Sequence, residues 1–198
     1  MAYRAHMNLP HPALDYSAQR PMARWSTAQL NSSIDRWLST NPPHLELASL
    51  ALDELKHRRE ELSATLGFAE RKLEPISWLT HARAQVLKDL CGPGAPPKTG
   101  TPGGTVYVIL RDGYSAANQH YGVYVGSTRR TLEQRFAEHR TSSKAGRGLI
   151  AHGIEPLYSL FTPLGTLPKT KKKLLEWETM LNNCLAKVVP KVSGDVAF

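Results

Sequence analysis

The stretch YGVYVGSTRRTLEQRFAEHR, residues 121–140, gathers a hydroxyl-bearing turn, a guanidinium and an imidazole at the exit of one apolar run. Arg135 and His139 stand four residues apart, so on a helix they share a face. Leu132 and Phe136 take the adjoining apolar positions, which sets Arg135 and His139 at or beside the buried stripe. Such a pair either snorkels and packs, or presents a phosphate-matched fork next to a group that titrates near neutrality. KTKKKLLEWETMLNNCLAKVV, residues 169–189, repeats the anomaly. At about 100° per residue, Leu174, Trp177, Met180, Leu181, Cys184, Leu185 and Val188 form an apolar arc. Glu178 falls within its edge, whereas Glu176 points toward solvent. A carboxylate in an apolar stripe needs a partner: a bound cation, or a buried salt bridge for which Arg135 is a candidate. Lys169, Lys171, Lys172 and Lys173 crowd the start of the same helix, the end its dipole already makes positive. A phosphate backbone laid against them would relieve that crowding, and so would simple solvation.

These side chains need elements to aim them. TVYVIL (105–110) and HYGVYVGS (120–127) are β-branched and aromatic runs separated by a polar loop, and they are expected to form an antiparallel hairpin. Thr131 and Gln134 have the spacing of a capping box, which starts a helix at Thr131. LYSLFTPLG (157–165) reads as a third strand, and residues 169–189 as the longest helix of this half. The order β-β-α-β-α predicts an α+β domain over residues 105–198, with a small antiparallel three-stranded sheet flanked by helices. Upstream, nine of the fourteen residues in CGPGAPPKTGTPGG (91–104) are Gly or Pro, the composition of a linker. Residues 26–90 read as a helical region whose leucines suit core or dimer contacts. Leu30, Ile34, Trp37 and Leu38 lie on one face, Leu45, Leu52, Leu55, Leu62 and Leu66 on a second helix over 44–66, and a third begins near Phe68. Residues 1–25 have no periodicity and read as a mobile lead-in.

Composition narrows the classes of function. The net charge is +8, and residues from 105 onward hold 13 Lys and Arg against 7 Asp and Glu. That excess favours a polyanionic partner, most simply nucleic acid. Two cysteines without C-x-x-C spacing exclude a disulfide framework and suit a reduced, cytoplasmic setting. Eight scattered histidines without H-E-x-x-H argue against zinc. Apolar runs fall well short of the roughly 20 residues that a membrane span requires.

TVYVI, then YVGS, then an R-x-x-x-H helix, an HG step and a helix with one inward glutamate resemble the GIY-YIG nuclease domain over residues 105 to about 189. The resemblance implies a Mg²⁺- or Mn²⁺-dependent endonuclease acting on double-stranded DNA, restriction-type in its compactness. It assigns the metal to Glu178, the scissile phosphate to Arg135, and proton relay to His139. Tyr107 or Tyr124 would orient the attacking water or take its proton, which asks neighbouring cations to lower a phenol pKa from about 10. Arg129, Arg130, Lys144 and Arg147 join the four lysines as the expected DNA-facing charges. Cutting two strands calls for two copies of so small a domain, hence a homodimer or higher oligomer. Thr105-Val106-Tyr107 stands where Gly-Ile-Tyr is expected, which keeps open a catalytically weakened nucleic-acid-binding module. An antibacterial DNase toxin and a purely structural helical adaptor stay open beside it.

Overall fold

The computed structural model describes residues 7–113, 121–141 and 149–194. The chain divides into two compact units, His11–His81 on one hand and Met1–Pro10 with Ala82–Phe198 on the other. The division falls between His81 and Ala82, inside a helix, rather than in the Gly/Pro run expected to separate domains. Among the described residues no helix is long and apolar enough to cross a membrane.

The first unit is helical: α1 (Thr27–Leu38), α2 (Leu45–Arg58), α3 (Leu62–Glu70) and the start of α4 (Leu79–Val86). Ser26 opens α1 with a complete capping box, its hydroxyl accepting from Gln29 N at 3.2 Å while Gln29 Oε1 accepts from Ser26 N at 2.8 Å. Leu30, Ile34, Trp37 and Leu38 are buried at the expected helical period. The helix expected over 44–66 is two helices, because Arg59 takes the left-handed conformation (φ 63°) and closes α2. The break resets the helical phase, and Leu62 and Leu66, expected in the apolar stripe, are exposed. Residues 11–25, expected to be a mobile lead-in, belong to this unit's packing: Leu14, Tyr16 and Met22 are buried.

One polar cluster in this unit is closed. Glu54 accepts from Arg20 Nε at 3.0 Å, Arg20 NH2 at 2.6 Å and Arg58 Nε at 2.8 Å. Arg58 spends its other two nitrogens on the carbonyls of Trp25 and Ala23, at 2.8 and 3.0 Å. Burial pushes the Glu54 carboxyl up, but hydrogen bonds and charge from Arg20 and Arg58 outweigh it and hold the pKa below the usual carboxylate value.

The second unit is α+β. After α4 and a π-helical turn (Leu87–Cys91) come β1 (Pro102–Arg111), β2 (Gly122–Thr128), α5 (Leu132–Thr141), α6 (Leu149–His152) and β3 (Gly153–Pro156). Then follow α7 (Tyr158–Phe161), a 3₁₀ turn (Thr162–Leu164), β4 (Leu167–Pro168), α8 (Lys171–Leu185) and β5 (Val192–Gly194). The sheet runs β3-β1-β2-β5, with β4 also on β1. The expected hairpin is present: β1 and β2 pair antiparallel, with Tyr107 opposite Gly126 and Ile109 opposite Tyr124. The expectation of a three-stranded, purely antiparallel sheet is corrected. Among the described residues the sheet has five strands and is mixed, since β5 joins β2 in parallel.

The third strand also moves. Residues 153–156 pair with β1, whereas the expected strand at 157–165 is α7 and the 3₁₀ turn. Tyr158, Ser159, Leu160 and Phe161 are all buried, and a short apolar run buried on every side has no periodicity to separate strand from helix. Pro163 at the start of the 3₁₀ turn then suits a helical turn better than a strand interior.

Candidate functional site

The site is laid out by the β1–β2 register. Side chains alternate across a sheet, so Tyr107, Ile109, Tyr124 and Gly126 share one face. Tyr107 and Tyr124 are diagonal neighbours with ring centroids 6.3 Å apart. Gly126 is required here by space: a Cβ would lie 2.6 Å from Cζ and Oη of Tyr107 and 2.9 Å from Cε1 of Tyr124. The glycine of YVGS therefore lets the Tyr107 ring lie flat across the neighbouring strand.

The turn after β2 feeds α5 through the capping box read from the sequence. Gln134 N donates to Thr131 Oγ1 and Thr131 N donates to Gln134 Oε1, both at 3.2 Å. With the start of α5 fixed, Phe136 points inward, its ring centroid 6.2 Å from that of Tyr107. Arg135, half-buried beside it, donates from Nε to Tyr107 Oη at 3.2 Å and from NH1 to Glu138 Oε2 at 3.3 Å. Glu138 also contacts NH1 of Arg130 through its other oxygen. α8 supplies the opposite wall, with Leu174, Trp177, Glu178 and Leu181 buried along its inner face.

Together these elements line a cleft of about 640 Å³. Strand β2 and the following turn contribute Tyr124, Ser127, Thr128, Arg129 and Arg130; α5 contributes Arg135 and Glu138; α8 contributes Lys171, Leu174, Leu175 and Glu178. Of the residues singled out by sequence, Tyr124, Arg129, Arg130, Arg135, Lys171 and Glu178 converge on this one space. The phase of α8 separates the two glutamates clearly. Glu178 is 5% exposed and faces the cleft, whereas the Glu176 side chain is 41% exposed and pairs with Lys173 at 2.8 Å.

Tyr107 occupies a different layer. It is fully buried, lies outside the cleft lining, and meets the cleft through Arg135. Burial pushes its phenol up; Arg135 pulls it back by charge and hydrogen bonding, Glu178 pushes it up further, and burial wins. A phenol above its usual pKa of about 10 keeps its proton at neutral pH, and its oxygen accepts from Arg135 Nε and so positions the guanidinium. Tyr124 is the tyrosine that reaches the cleft.

The other sequence candidates fall elsewhere. The four lysines do not share a face. Lys172 and Lys173 border a second groove of about 510 Å³ on the far side of α8, with Pro96, Pro97 and Met180. Lys169 precedes α8 and ties its N–H to the Thr101 carbonyl at 2.9 Å. His139 lies on α5, but its side chain is outside the described residues, as are Lys144 and Arg147. Sequence reasoning passed over Glu138 and Thr128, and took Ser127 only as the hydroxyl of the turn without giving it a role. Glu138 stands three residues after Arg135, a spacing that places the two together on a helix.

Among the described residues no group of three or more His, Cys, Asp or Glu side chains is placed to hold a metal. The cleft-lining carboxylates are Glu138, engaged by two arginines, and Glu178. One buried carboxylate opening onto a cleft with room for water fits a cation that keeps much of its hydration, as Mg²⁺ does. It does not fit a closed cage such as structural zinc. No family model, no curated protein and no solved structure matches the chain.

Proposed function

We propose that the α+β unit is a divalent-cation-dependent endonuclease that hydrolyses phosphodiester bonds in double-stranded DNA. The observation that carries the proposal is the convergence of Tyr124, Arg135 and Glu178 on one cleft flanked by Arg129, Arg130 and Lys171. A carboxylate, a guanidinium and a phenol reach that space from three separate elements, the combination that phosphodiester hydrolysis calls for.

Each group has a chemical part. Arg135, its Nε fixed by Tyr107, aims its guanidinium at a phosphate and stabilises the charge that grows on the pentavalent transition state. Glu178 would hold Mg²⁺ or Mn²⁺; when bound, the ion lowers the pKa of coordinated water and neutralises phosphate charge. Tyr124 orients the attacking water from the cleft wall, and Tyr107, protonated at neutral pH, positions Arg135 beneath it. His139 is assigned proton relay near the end of α5. Arg129, Arg130 and Lys171 hold the backbone on either side through contacts that carry no sequence information. A single cleft makes one nick, so cutting both strands calls for two copies of the chain.

The test is nicking of supercoiled plasmid with and without Mg²⁺, with Glu178→Ala purified in parallel. The proposal expects Mg²⁺-dependent nicking by the wild type, and retained DNA affinity with nicking lost in the variant. Binding without Mg²⁺-dependent nicking at high protein concentration overturns it and leaves a nucleic-acid-binding module.

A further inference from the structure

Glu138 sits in the cleft between two guanidinium groups. Its carboxylate takes Arg135 NH1 at 3.3 Å on one oxygen and contacts Arg130 NH1 with the other. The pair of arginines thus already surrounds a small oxyanion with two acceptor oxygens. A phosphate group presents the same pair of acceptors at greater charge, and guanidinium matches it in the same two-point fashion. The assembly is open to exchange: the side chains of Arg130 and Glu138 are 65% and 30% exposed, and both line the cleft.

We infer that Arg130 and Arg135 form a two-guanidinium site for one phosphate group, and that Glu138 is its resident competitor. While Glu138 holds its place, the carboxylate keeps the two arginines converged and neutralises part of their mutual repulsion. When phosphate arrives, Glu138 swings off the pair and the phosphate takes its place between them. Glu138 is therefore a positioning residue with a cost: it preorganises the arginines and weakens anion binding at the same time. The identification of that phosphate with DNA backbone rests on the endonuclease reading; the anion site itself does not require hydrolysis.

The experiment uses the full chain, chelator in place of metal, and inorganic phosphate as the probe, titrated by calorimetry. Glu138→Gln keeps the shape and removes the charge, so phosphate should bind more tightly, on the order of tenfold, from releasing two partly exposed pairs. Arg130→Ala in that background should reverse the gain. Equal or weaker phosphate binding by a folded Glu138→Gln protein overturns the inference. If that variant does not fold, the wild type is read instead by ¹⁵N spectra of arginine side chains during the phosphate titration. Signals of Arg130 and Arg135 moving together with one apparent Kd support the site, and signals that stay still overturn it. Plasmid nicking is measured separately: phosphate responses as expected without nicking sink the endonuclease reading and leave this site standing.

Discussion

The molecule carries two clusters of the same composition, one glutamate between two arginines, and they are built to opposite ends. In the helical unit Glu54 is 5% exposed, and its hydrogen bonds from Arg20 and Arg58 lie between 2.6 and 3.0 Å. Arg58 is fully committed, its remaining nitrogens on two backbone carbonyls. In the α+β unit Glu138 is partly exposed, its contact with Arg135 is long at 3.3 Å, and the whole group faces an open cleft. A buried carboxylate held by three such donors fixes a fold, even with Arg20 45% exposed at its rim. An exposed one leaves its arginines able to trade the carboxylate for a ligand. The difference lies in the exposure of the shared carboxylate, 4% for the Glu54 side chain against 30% for Glu138, which residue type alone does not reveal.

The comparison can be broken at several points. The largest expected effect is on cleavage by Arg135→Lys, which keeps the charge and loses the planar fork. Single-turnover nicking should fall by about 10²-fold, as when one preorganised transition-state donor is removed, while the melting temperature holds. A parallel loss of folding and cleavage would instead make Arg135 a structural residue like Arg58. Next is Glu54→Ala, which leaves Arg20 and Arg58 without their shared carboxylate. Losing it should cost about 2–3 kcal/mol, a fall of roughly 5–10 °C on thermal melting. Glu138→Gln should shift the same transition by less than about 2 °C. If the two variants melt alike, the contrast between a structural and an exchangeable cluster fails.

A smaller effect is expected from Tyr107→Phe, which removes the acceptor for Arg135 Nε but keeps the ring. Cleavage should drop by roughly tenfold through looser aim of the guanidinium, and the alkaline side of the pH–rate profile should be unchanged, as expected of a group that only positions Arg135. Loss of an alkaline limb in the variant would return Tyr107 to a proton-transfer role. The smallest effect is a pH dependence in the helical unit. The Glu54 pKa is held below its unfolded value, so the stability it contributes is present above the ordinary carboxylate pKa and is lost as pH falls through and below about 4.5. Urea melts from pH 6 to pH 3 should show this slope flattened in Glu54→Gln.

Much of the site was legible from local patterns. The T-x-x-Q box at Thr131 and the β-branched runs of the hairpin are short-range signals, and both elements formed where those signals stood. Helical periodicity alone turned Glu178 inward and Glu176 outward. What escaped depended on pairing across the chain. β4 has two residues and β5 three, too short for any alternation, and their strand character comes from lying beside β1 and β2. The run at 157–165 is apolar throughout most of its length and carries no period. Glu138 was not singled out, although its spacing from Arg135 places the two together; the convergence of Arg130 from the preceding turn completes its place in the cleft.

The central claim is that one inward carboxylate on α8 serves phosphodiester cleavage. Its most direct test is Mg²⁺-dependent single-turnover nicking by Glu178→Ala and Glu176→Ala, two residues apart on one helix and opposite in exposure. The account predicts that Glu178→Ala loses nicking while still binding DNA, and that Glu176→Ala cuts at close to the wild-type rate. An active Glu178→Ala beside a wild type that nicks would contradict it.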